Sequence, residues 1–252
     1  MKAHVSPMIQ ERRERVLLIL AGIFLSSLAI LNVIGLTKFI EIGPLRLAVG
    51  VLPYPLTFLC TDLISELYGR RRANFVVWLG LFVNAFVLFM LWLGDILPAV
   101  SPEVRPPWQD ISLAQSLALP DGSVLHEQVE FFHIIYKCTA GAVFASMAAY
   151  LTAQFVDVYL FHFWKKLTKG KHLWLRNNGS TLISQAVDSF MVIIITFGAS
   201  YSRDEITFPT LLALIFSNYL FKFVAALLDT VPFYSLTKRL SAYLHIDPTQ
   251  VE

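Results

Sequence analysis

The chain has 252 residues, 56% of them hydrophobic and 15% charged, with a mean hydropathy of +0.62. Soluble domains hold about 45–50% apolar and about 25% charged residues, so the composition excludes an ordinary soluble domain. The formal net charge of +2 is small; the placement of the basic residues carries the information.

Apolar runs recur at 16–36, 75–97, 138–160, 182–197 and 211–228, and a run of about 18 or more such residues matches the hydrocarbon thickness of a bilayer. The first span is predicted over 15–37. Its basic leader fits the start of a signal peptide, but the run is too long for one and no small-residue cleavage site closes it; Asn32 and Lys38 stand there instead. The stretch "FIEIGPLRLAVGV" that follows is β-branched and broken by glycine, and it predicts a short hairpin or a re-entrant cap. The second span, 52–68, opens on "LPYP", where proline suits an irregular entry. The third covers 73–97. A proline-rich external loop, 98–128, follows; within it "SLAQSLAL" predicts a short interfacial helix, with Trp108 at headgroup level. The fourth span, 129–163, exceeds the bilayer, so its start should project into water or the helix should tilt. The fifth covers 180–201 and the sixth 208–236. Cys60 and Cys138 fall inside predicted helices and read as small buried hydrophobes. The expected fold class is an all-α integral membrane protein: a six-transmembrane-helix bundle in a single domain, 1–240, with a short cytoplasmic tail, 241–252.

The basic residues orient it. Fourteen of the 20 Lys and Arg residues lie on one side of the predicted spans: Lys2, Arg12, Arg13 and Arg15, then Arg70–Arg72, five between Lys165 and Arg176, and Lys238 with Arg239. Four lie on the other side, and Lys137 and Lys222 fall within spans. The positive-inside rule places both termini in the cytoplasm.

Ionisable residues at membrane depth are costly and usually face a bundle interior or a wet cavity. Asp62 lies eight residues before Arg70, Asp157 eight before Lys165, and Asp229 nine before Lys238. At about 1.5 Å per residue these sit roughly 12–14 Å above the inner interface. Gln185 and Asp188 follow Arg176 by nine and twelve residues, or roughly 14–18 Å. The expectation is one polar layer near the midplane, where secondary transporters bind cargo. The plain alternative is interhelical hydrogen bonding without a ligand. Lys222, two turns before Asp229, is the natural counter-charge. "QFVD" (Gln154, Asp157) and "QAVD" (Gln185, Asp188) repeat an amide and a carboxylate on one helix face, the pairing a planar hydrogen-bonding ring needs. Asn32, Asn84 and Asn218 are further polar points. In "LWLRNNGSTLISQ", Asn178, Ser180 and Thr181 read as N-caps or as a helix N-terminus open to a ligand. Glu66, one turn after Asp62, lies nearer the interface and reads as a cytoplasmic gate residue or as an ion pair with Arg70.

No phosphate-binding loop, metal-ligand spacing or nucleophile–base set is visible, so the chain predicts neither an enzyme nor a resident cofactor or metal. Nucleic acid is not an expected partner, since the basic residues anchor loops instead of forming a patch.

Together "PLTFLCTDLISELYGRRRA", "QFVDVYLFHFWKKL", "HLWLRNNGSTLISQAVDS" and "FSNYLFKFVAALLDTVPFYSL" resemble the queuosine precursor transporter family, also called the vitamin uptake transporter (VUT) family. The resemblance runs from about residue 31 to 240; the external loop 98–128 looks longer than the family pattern. It implies six transmembrane helices and bacterial inner-membrane uptake of 7-deazaguanine compounds such as 7-cyano-7-deazaguanine, salvaged for queuosine in tRNA. The matching polar positions are Asp62, Glu66, Gln154, Asp157, Asn178, Ser180, Thr181, Gln185, Asp188, Asn218, Lys222 and Asp229. The chemistry fits on its own terms. A 7-deazaguanine offers N1–H and an exocyclic amine side by side, and one carboxylate can accept both. Its O6 wants a donor from Gln, Asn or Lys. Its flat ring wants an aromatic wall, for which Trp78, Phe58, Phe155 and Tyr219 are candidates. The chain is then a carrier acting alone or as a homodimer, or a substrate-capture subunit that needs a separate ATPase partner.

Overall fold

The computed structural model describes residues 6–101, 103–119, 123–167 and 173–246; within these, residues 70, 151, 154, 155, 157, 158, 161, 162, 164–166, 173–181, 226 and 230 are described by backbone only. Six helices account for most of the described chain: α1 (Pro7–Val33), α2 (Tyr54–Tyr68), α3 (Arg70–Ile96), α4 (Phe131–Leu167), α5 (Leu173–Ser202) and α6 (Phe208–Leu244). All but α2 contain a segment long and apolar enough to cross a membrane. α2 has 15 residues, a rise of about 22 Å, short of the roughly 30 Å hydrocarbon core.

The chain divides into two compact units. The first contains residues 1–31, 50–87 and 224–252. Its core is Leu20 and Phe24 of α1, Cys60, Leu63 and Ile64 of α2, and Ala73 and Val76 of α3. α2 buries Thr57, Cys60, Leu63, Ile64 and Leu67, a stripe at helical spacing. Gly69 then separates α2 from α3 in one residue, with φ 87° and ψ 160°, a conformation essentially reserved for glycine. One end of this unit is tied by basic residues. The Arg13 guanidinium donates to the carbonyls of Leu244 (3.0 Å) and His245 (2.6 Å), and the Tyr68 hydroxyl donates to the Arg13 carbonyl at 2.8 Å. Arg72 lies over the Tyr68 ring and Arg12 over the Tyr243 ring. The start of α1, the α2–α3 turn and the end of α6 therefore meet at one end.

The second unit contains residues 32–49 and 88–223. Strands β1 (Phe39–Ile42) and β2 (Leu45–Ala48) form an antiparallel hairpin in the register Phe39↔Ala48 to Ile42↔Leu45. Gly43 turns it with a φ of 58°. Of the two forms expected for this stretch, the hairpin is present. Its strands lie against both α5 and α6: Phe39 meets Phe197 with ring centroids 5.8 Å apart, and the Arg46 backbone N–H donates to Ser217 Oγ at 3.2 Å. α4 and α5 pack along each other. α4 buries Ala142, Ala145 and Ala149, and α5 buries Ser184, Ser189 and Ser200; small residues let membrane helices approach closely.

Three expectations are corrected here. The loop segment expected as an interfacial helix is instead β-structure: β3 (Asp110–Ser112) pairs with β6 (Gln128–Glu130), and β4 (Leu117–Ala118) with β5 (Val124–Leu125). Arg105 holds this loop by ion pairs to Asp110 (2.7 Å) and Glu130 (3.3 Å), contacts that outweigh the weak local preference of "SLAQSLAL". α5 starts at Leu173, so Asn178, Ser180 and Thr181 stand inside a helix and not at its N-cap. α6 continues to Leu244, past the expected end near 236; its apolar pattern fades at Lys238, but Arg13 caps its last carbonyls.

Candidate functional site

Along α6 the buried stripe changes character. It begins as Leu211 and Leu214, becomes Ser217 and Asn218, and reaches Lys222 before returning to Ala225. The spacing keeps these on one face. Lys222 is 6% exposed and forms an ion pair with Asp188 of α5, whose side chain is 16% exposed. Their partnership follows from cost: an ammonium and a carboxylate taken out of water need each other. Asn218 stands one turn before Lys222, and Gln185 one turn before Asp188, so each partner has an amide on its own face. Ser189 continues the α5 face; it is 0% exposed and its hydroxyl has no hydrogen-bond partner among the described residues. Thr139 of α4 is buried in the same way. Gln185, Asp188, Asn218 and Lys222 thus come together in the second unit as a polar patch between two long apolar helices.

Lys222, expected as the counter-charge of the acidic layer, has Asp188 as its ion-pair partner, one of the four aspartates left open. Asp229 lies seven residues along the same helix, about 10 Å of rise away, whereas Asp188 reaches across from α5. Asp229 belongs to the first unit, where it lies near enough to Asp62 for the two carboxylates to repel. Its Oδ2 is buried with no hydrogen-bond partner among the described residues. Asp62 and Glu66 share the exposed face of α2, opposite its apolar stripe. The acidic residues therefore appear as a carboxylate pair in one unit and an ion pair in the other.

Gln154, Asp157, Asn178, Ser180 and Thr181 lie on helical backbone, but their side chains fall outside the described residues, as do those of Arg70 and of the aromatic candidate Phe155. Of the other aromatics, Phe58 meets Tyr54 edge to face at 4.5 Å, Tyr219 is half-buried and Trp78 is exposed. Asn32 is buried and accepts from the Ser146 hydroxyl at 3.2 Å, the interhelical role expected of a lone asparagine. Sequence reasoning missed Ser217, Ser189 and the hairpin residue Leu47, which is 2% exposed. The serine beside Asn218 in "FSNYL" was the available signal.

A separate cavity of about 340 Å³ lies where α3 ends and α4 begins, lined by Asp95, His126, Gln128, Glu130 and His133 among others. His133 Nδ1 and Asp95 Oδ1 are 2.7 Å apart. It shares no residue with the polar patch. Among the described residues, no three His, Cys, Asp or Glu side chains converge as a metal site would require.

The family described as "Putative vitamin uptake transporter" matches residues 48–236, a range that holds every residue of the polar patch. A "Probable queuosine precursor transporter" of Bacillus subtilis (strain 168) is 27% identical over 204 residues, covering 81% of this chain and 77% of that protein. A "Probable queuosine precursor transporter" of Haemophilus influenzae is 24% identical over 187 residues, covering 74% and 66% respectively. No solved structure matches the chain. With three quarters of its length inside the match, the chain belongs to the vitamin uptake transporter family, and it is a multi-pass membrane transporter, not an enzyme.

Proposed function

We propose that this protein is an uptake carrier of the bacterial inner membrane for a 7-deazaguanine queuosine precursor such as 7-cyano-7-deazaguanine. The observation that carries the reading is the buried Asp188–Lys222 pair with Gln185 and Asn218 beside it. Lys222 stands 14 residues from the start of α6 and Asp188 14 residues from the end of α5, a depth of about 21 Å, so the patch is assigned to the middle of the membrane. The printed names of the two relatives supply the substrate class. The patch chemistry suits it: Asp188 would accept N1–H and the exocyclic amine together, and Lys222 or an adjacent amide would donate to O6.

α2, with the turn of 3₁₀ helix ahead of it, is assigned as a crossing too, second in chain order, which brings the number to six, and both termini are assigned to the cytoplasm. The clustering of basic residues at one end of the first unit supports this orientation. Gln154, Asp157, Asn178, Ser180 and Thr181 are carried forward as further substrate-facing candidates on α4 and α5. Asp62, Glu66 and Asp229 are carried forward in the first unit, Glu66 nearest its arginine-bearing end.

Thermal unfolding of the purified chain against a panel of purines and 7-deazapurines tests the assignment. A ligand at 100 times its Kd stabilises by about 2.7 kcal/mol. The 7-deazaguanines should raise Tm and adenine should not; no shift from any 7-deazaguanine rejects the substrate class.

A further inference from the structure

The polar patch does not stand open on the side of the α5–α6 connection. Ile193 of α5 and Leu211 and Leu214 of α6 form a buried apolar cluster, with Phe197 and Ile206 packed against it. Ile193 lies five residues beyond Asp188, and Leu214 eight residues before Lys222, or about 7.5 and 12 Å along the two helices. α5 and α6 run antiparallel through these contacts. The cluster therefore sits between the ion pair and the connection at residues 203–207, which is external in the proposed topology. A molecule coming from that side meets the apolar cluster first and the ion pair next.

Behind the cluster, Asp188 and Lys222 hold each other. Pure stability is a weak reason for such a pair, because well-packed apolar residues usually serve a buried site as well or better. The closed arrangement also leaves a bond unmade among the described residues: Ser189 Oγ, one turn beyond Gln185, has no partner there despite complete burial. A neutral ring edge with two adjacent N–H donors and a carbonyl offers what each ion needs. The carboxylate can exchange the ammonium for two N–H groups, and the ammonium can exchange the carboxylate for the carbonyl. Inserting that edge parts α5 from α6 at the patch, and the apolar cluster spans the same two helices.

We infer that the Asp188–Lys222 pair is a latch opened by the substrate: it holds α5 to α6 and keeps the Ile193–Leu211–Leu214 seal closed until a ligand with adjacent N–H donors and a carbonyl takes over its bonds. This deepens the proposed function and rests on it for the ligand, though not for the latch.

The test uses cells expressing the full chain with Cys60→Ala, Cys138→Ala and Ile193→Cys, and a membrane-impermeant maleimide added outside. Labelling of position 193 in this parent should be slow, since Ile193 is buried. Asp188→Asn should speed it about tenfold or more, the effect of losing one charged hydrogen bond from the closed form. The swapped pair, Asp188→Lys with Lys222→Asp, should return it to slow. Adding 7-cyano-7-deazaguanine should speed labelling of the parent and leave Asp188→Asn unchanged. If Asp188→Asn fails to reach the membrane, Lys222→Gln replaces it, and the ligand arm on the parent stands in any case. Labelling as slow in the charge variants as in the parent, at equal membrane amounts, overturns the latch. Slower labelling with ligand bound overturns opening by substrate. A wild-type chain that binds no 7-deazaguanine while the charge variants still open the seal rejects the substrate and keeps the latch.

Discussion

Lys222→Ala is the sharpest perturbation of the patch. It leaves Asp188, with its side chain 16% exposed, holding a charge that nothing else among the described contacts neutralises. Removing one partner of a buried pair costs about 3–5 kcal/mol. For a chain of this size 1 kcal/mol moves Tm by about 2–4 °C, so Lys222→Ala should lower it by about 6–20 °C. Adding Asp188→Asn removes the stranded charge and should recover at least half of the loss. Adding Asp229→Asn should recover nothing, because that residue is not the partner. Thermal unfolding of the detergent-solubilised variants, followed by tryptophan fluorescence, reads all three. Uptake separates stability from function, since the recovered double variant still lacks the carboxylate and should stay inactive. A double variant no more stable than Lys222→Ala refutes the reasoning, as does equal recovery by Asp229→Asn.

Asp188→Asn alone keeps the shape but places an amide N–H₂ where the ligand also donates; an uncompensated donor costs about 1–3 kcal/mol, a roughly 5- to 150-fold loss of affinity, measurable as binding by protein still inserted in the membrane. Gly69→Ala forces an alanine into the glycine-only turn between α2 and α3 and should cost about 1–3 kcal/mol, whereas Gly22→Ala, in open space on α1, should be neutral or stabilising; thermal unfolding compares the two, and equal effects would remove the strain argument. In the α5–α6 connection, the hydrogen bond from Arg203 holds the Glu205 carboxyl below the ordinary glutamate range. A depressed folded-state value means a contribution present at neutral pH and lost as pH falls below about 4.3. A shallow fall in Tm in that window should therefore flatten in Arg203→Gln, and an unchanged profile would argue against it.

The long apolar helices were legible because lipid imposes a simple demand: about 20 apolar residues with every backbone group bonded internally. Asp188 and Lys222 were legible because charges inside such long apolar runs are rare. Which charges pair was not. Lys222 and Asp229 share a helix and look like neighbours in the sequence, but the side-chain reach that decides the matter belongs to α5, in contact across the pair. The loop between α3 and α4 failed for a related reason: its strands close through Arg105 and its carboxylate partners, contacts that "SLAQSLAL" does not announce. The start of α5 was displaced because Asn178, Ser180 and Thr181 resemble a cap, while the helix begins at Leu173. The hairpin was half legible: "IGPL" marks its turn, but nothing local shows that β2 bonds Ser217 well inside α6.

Uptake of labelled 7-cyano-7-deazaguanine into liposomes holding only the purified chain tests the central claim most directly. Entry should be saturable and above that of empty liposomes, should proceed without ATP or a second protein, and should be lost with Asp188→Asn at equal incorporation. Entry no faster than into empty liposomes, or entry that begins only when an ATPase partner is added, would contradict the account of this chain as a carrier complete in itself.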